Sequence, residues 1–162
     1  MKPRLTTFVF CSMLAFGSWA YAGAQVDVSY IKPADFVDLK STWLTQENLL
    51  ATLTTHLQKL GQKYLSEGQG MQIEITDIDL AGSIEYPHNG DAVRVMREVT
   101  PPRITLRWHL LSADKNLPMQ TVSLIDMNYM GRINEYAEGD PLRYEKQMLD
   151  DWFKHNFGAK AK

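Results

Sequence analysis

Three carboxylates, Asp77, Asp79 and Asp126, are the side chains of this 162-residue chain best suited to chemistry. Asp77 and Asp79 stand two apart in MQIEITDIDLAG, on one side of a regular strand, and Asp126 closes a later extended run. Brought together, three carboxylates could hold a hard cation such as calcium or magnesium. The commoner use of Asp at such places is to cap turns and strand ends. With no EF-hand loop, no H-E-x-x-H and no close His pair in the chain, neither a metal nor another cofactor is expected.

Arg94, Arg97, Arg103 and Arg107 form an Arg-rich stretch that could clamp a carboxylate or phosphate. Neighbouring acids are plentiful, so pairing across strands with Glu74, Glu98 or Glu145 is the expected role. Nucleophilic catalysis has little support: none of the serines lies in a G-x-S-x-G context. His56, His88, His109 and His155 are scattered over different segments, and helix-face or loop positions account for them. No catalytic set is assigned.

The elements that would position these groups follow from periodicity. VDVSYI alternates, with Val26, Val28 and Tyr30 on one side, as a half-buried strand does. From Thr45 to Leu65, Leu49, Leu50, Leu53, Leu57, Leu60 and Tyr64 recur every three or four residues and predict a helix with one apolar stripe. Thr45 caps it, and Glu47 suits its first turn. In the following strand Met71, Ile73 and Ile75 share a face, whereas Ile78 and Leu80 have the other parity. A bulge near Thr76-Asp77 accounts for that slip. Asn89-Gly90 marks a hairpin. RITLRWHLL puts Ile104, Leu106, Trp108 and Leu110 on one face, opposite Arg103, Thr105, Arg107 and His109. After a loop through Asp114 and Asn116, a last strand runs from about Gln120 to Asp126.

DPLRYEKQMLDDWF reads as a closing helix, with Asp140 as its N-cap and Pro141 at its first position. Leu142, Leu149, Trp152 and Phe153 form its apolar stripe, with Phe157 at the margin; Arg143, Gln147 and Asp151 form a solvated face. Glu145 falls inside the apolar sector and needs a partner or a place at the rim. The fold expected is α+β: a mostly antiparallel sheet with two helices packed on one face and a polar second face. Trp108 and Trp152 belong to the core, which leaves Trp43 as the aromatic contact candidate.

The first residues carry Lys2 and Arg4, an apolar run from Phe8 to Phe16 and the small-residue pattern Ala20-Tyr21-Ala22. This is the order of a secretory signal peptide cut after Ala22, with residues 23–162 forming a single exported domain. Cys11, the only cysteine, lies within the signal, so the mature chain relies on packing alone. No later segment is long and apolar enough to span a membrane. The formal charge of −2, which loses two more positive charges with the signal, argues against a nucleic-acid partner.

The combination of VDVSYIKPADFVDL, ITDIDLAG, PPRITLRWHLL, LIDMNYM and DPLRYEKQMLDDWF after an export signal resembles the bacterial exported family called domain of unknown function 3016. The resemblance spans nearly the whole mature chain and implies a periplasmic protein with no established activity. It directs attention to Asp79, Arg103, Asp126, Asp140, Tyr144, Glu145, Lys146 and Asp151. The ligand-binding candidates are then Asp79, Arg103, Arg107, Asp126, Tyr144 and Glu145. The expected function is a binding or assembly module of the cell envelope whose partner is an envelope protein or ligand. The rival is a carboxylate-dependent hydrolase, metal-assisted or not, using Asp79, Asp126 and Glu145.

Overall fold

The structure, a computed structural model, describes residues 24–158 except Trp43, Asn89, Ala113, Asp114 and Leu117, and leaves aside the side chains of Ser112, Lys115 and Asn116. Residues 1–23, where the export signal with Cys11 is expected, the contact candidate Trp43, the hairpin residue Asn89 and Asp114 therefore lie outside the described residues.

Strand β1 (Gln25–Tyr30) leads through a short 3-10 turn to helix α1 (Gln46–Tyr64) and strand β2 (Gly70–Asp79). A small hairpin, β3 (Ser83–Glu85) and β4 (Val93–Val95), precedes β5 (Arg103–Ser112), the two-residue β6 (Lys115–Asn116), β7 (Gln120–Ile125) and helix α2 (Arg143–Phe157). In the main sheet β1 pairs with β2, β2 with β5, and β5 with both β6 and β7. All those pairings are antiparallel except β1 with β2, which is parallel because α1 carries the chain back across the sheet.

The expected α+β arrangement is present, with both helices on one face of a mostly antiparallel sheet. Val26, Met71, Ile73, Ile75, Ile104 and Leu106 of the sheet meet Leu49, Leu53, Leu57 and Leu60 of α1 and Leu149, Trp152, Phe153 and Phe157 of α2. Thr45 caps α1, its hydroxyl accepting from the Asn48 N–H at 3.3 Å. Gly61 lies in the helix interior, at a cost to helix propensity. A side chain there would collide with the Val26 Cγ2, so the glycine lets α1 approach β1.

The parity slip in β2 is a register shift between Ile75 and Asp77. Beyond it Ile78 and Leu80 are buried, while Asp77 and Asp79 take the opposite face beside Thr105 and Arg103. That face is held by cross-strand pairs: Arg107 bridges Glu74, and His109 bonds Gln72 at 3.0 Å.

Two features of α2 differ from the sequence expectation. The helix begins at Arg143, because the Asp140 carboxylate accepts from the Leu142 N–H (2.9 Å) and closes a turn before it rather than capping it. Gln147 is buried rather than solvated, since the connection 126–142 crosses the outer side of α2 and the Gln147 side chain accepts from the Glu135 N–H at 2.9 Å. This strap is further tied down by Asn134, whose amide donates to the Arg143 carbonyl, and by Tyr129, whose hydroxyl donates to the Arg97 carbonyl.

Candidate functional site

Where β2 ends, the chain turns a corner through Leu80, Ala81 and Gly82, and Gly82 adopts φ +76°, a left-handed conformation suited to glycine. Four segments meet at that corner. The Arg94 guanidinium of β4 donates to the Ala81 carbonyl (2.9 Å), the Gly82 carbonyl (3.2 Å), the Asp38 carboxylate (2.9 Å) and the Lys40 carbonyl. From α2, Glu145 accepts the Ala81 N–H at 2.8 Å.

Glu145 is 1 % exposed, and its second oxygen has no hydrogen-bond partner among the described residues. Burial pushes its carboxyl up to about 7, against the opposing effects of the Ala81 N–H and the Arg94 charge. The acid that interrupts the apolar stripe of α2 is therefore an anchor for the sheet corner.

Against this corner lies a cleft of about 790 Å³, within the range of small-ligand sites. Ser41, Thr42 and Leu44 form one wall, the β4 residues Val93 and Arg94 with Met96 a second, and residues 138–141 with Arg143 and Tyr144 a third. Its lining is mainly apolar. Tyr144 stands in it, edge-on to the fully buried Tyr129 with ring centres 4.7 Å apart, and the Arg143 guanidinium lies over the Tyr144 ring. The Arg143 Nε is buried without a hydrogen-bond partner among the described residues.

The six candidates from the sequence divide among three places. Tyr144 lines the cleft and Glu145 anchors the corner behind it. Asp79, Arg103 and Arg107 lie on the sheet face that the helices leave uncovered, and Arg107 is engaged by Glu74. Burial and the nearby Asp38 carboxylate raise the Asp79 pKa, with Arg103 opposing them. Asp126 belongs to neither group: its carboxylate accepts from the Asn128 N–H (3.1 Å) and pairs with Arg132, which also pairs with Asp151 of α2. No group of three acidic or imidazole side chains suited to a metal occurs among the described residues.

Sequence reasoning missed Arg94 as the organiser of the corner, because its four acceptors come from segments that only the fold brings together. It also missed a second cleft, where His56 of α1 meets Asp150 of α2. The only sequence signal for that pair was a histidine on the apolar side of α1.

Fold and site together define an α+β protein with two helices over one sheet face and an apolar cleft at the sheet corner. The chain belongs to the family described as Protein of unknown function (DUF3016), which it matches over residues 24–155. No curated protein matches it. No described helix is long and apolar enough to cross a membrane.

Proposed function

We propose that this protein is a small binding module of the bacterial cell envelope, exported to the periplasm after cleavage behind Ala22. Its cleft beside the start of α2 takes a mainly apolar ligand or partner segment that presents a hydrogen-bond acceptor to Arg143. The observation that carries this reading is the apolar cleft lined by Arg143, whose buried Nε has no hydrogen-bond partner among the described residues. An orphan donor of this kind is costly until a partner fills it.

The rival hydrolase reading draws on Glu145, whose carboxyl titrates near neutral pH and so suits a general acid or base. It weighs less because Asp126 is engaged by Arg132, Asp79 lies on the uncovered sheet face, and Glu145 is already bonded to the Ala81 N–H.

The test is in-cell cross-linking from a photoreactive residue at Val93, on the cleft wall, compared with one at Gln58 on the exposed side of α1. A reproducible product from position 93 alone is the expected outcome. Equal products from both positions, or none from either, would remove the cleft as the binding site. N-terminal sequencing of the periplasmic fraction checks export separately, and the expected first residue is Gly23.

A further inference from the structure

A second cleft, of about 710 Å³, runs between the outer side of α1 and the strap where it meets α2. At its floor His56, only 9 % exposed, lies with Nε2 2.8 Å from Asp150 Oδ1, although not aligned as a hydrogen bond. The other Asp150 oxygen accepts the Tyr136 hydroxyl at 2.6 Å. Burial of Asp150 is outweighed by these two contacts, and its pKa is held below the ordinary value. The Asp150 carboxylate is thus already compensated.

Around Asp150 the lining carries three lysines, opposed by one further acid, Glu135 of the strap. Lys59 and Lys63 stand one helical turn apart on α1, and Lys146 faces them from α2. Lys146 is bonded to Asp140 at 2.6 Å, while Lys59 and Lys63 have no carboxylate within ion-pair distance among the described residues. Along the α1 wall the Thr52 and Thr55 hydroxyls donate back to the Asn48 and Ala51 carbonyls, at 2.7 Å and 2.9 Å. Their donors are spent and their oxygen lone pairs remain to accept.

We infer that this cleft binds a phosphorylated saccharide, with Lys59 and Lys63 holding the phosphate and Thr52 and Thr55 accepting from sugar hydroxyls. Ammonium groups suit a phosphate as point charges. A wall of hydroxyl acceptors suits a ligand that brings its own O–H donors, which inorganic phosphate does not at this density. The cleft adjoins the one beside Tyr144 at Leu44 but shares none of its polar lining, so this inference stands whether or not that cleft is a binding site.

The test is calorimetric titration of the mature chain with glucose 1-phosphate, beside glucose and inorganic phosphate alone. Saturable binding of glucose 1-phosphate is expected, tighter than for either half. The double variant Lys59→Ala/Lys63→Ala should weaken it by roughly tenfold or more, and Lys154→Ala, an exposed lysine of α2 that lines neither cleft, should leave it unchanged. The two lysines are exposed, so the double variant should melt with the parent protein. Absence of saturation, equal affinity for inorganic phosphate, or undiminished binding by the double variant would each overturn the assignment.

Discussion

Glu145 shows how one buried carboxyl couples the start of α2 to the sheet corner. Its pKa in the folded chain lies above its ordinary value of 4.5, so protons are bound more tightly after folding than before. Stability is therefore highest where the group is protonated in both states and falls as pH rises from 4.5 to about 7. Above that the cost is complete, on the order of 3 kcal/mol. Glu145→Gln keeps an acceptor for the Ala81 N–H and cannot ionise, so it should flatten this slope. Urea unfolding of both proteins at about pH 4.5 and about pH 8 measures it, and identical slopes would remove Glu145 as the cause.

At the scale of the element, α2 is held by an aromatic cluster. Trp152 packs edge-on to Trp108 of β5 at 5.5 Å, to Phe153 at 5.0 Å and to Phe157 at 5.8 Å. Trp152→Ala should cost about 3 to 5 kcal/mol, as large aromatic truncations in cores do. A loss below about 1 kcal/mol in urea titration would show that the cluster does not bear on stability. Much of this was legible in the sequence, because Leu142, Leu149, Trp152 and Phe153 recur at helical spacing. The burial of Gln147 was not legible, because the strap that covers it comes from a segment with no periodicity. The bulge in β2 was legible because a single residue of slip reverses every later side chain, moving Ile78 and Leu80 back to the core. His56, Tyr136 and Asp150 lie too far apart in the chain for spacing to link them.

For the whole molecule, the edge strand β1 is more than a border. It buries Val26 against Gly61, and the Tyr30 hydroxyl donates to the Leu50 carbonyl of α1 at 2.8 Å. A chain beginning at Gly23 should melt cooperatively, whereas one beginning at Ile31 should lose most of its ordered circular dichroism or melt markedly lower. Equal melting of the two would mean that the remaining strands and helices form the core unaided. The parallel pairing of β1 also bears on the order of events during folding. β2, β5 and β7 can zip together as neighbours, but the β1 edge becomes available only after α1 has formed and swung its residues across the sheet. β1 should then be the last strand to gain protection in pulse-labelled amide exchange, a late seal on a sheet already assembled.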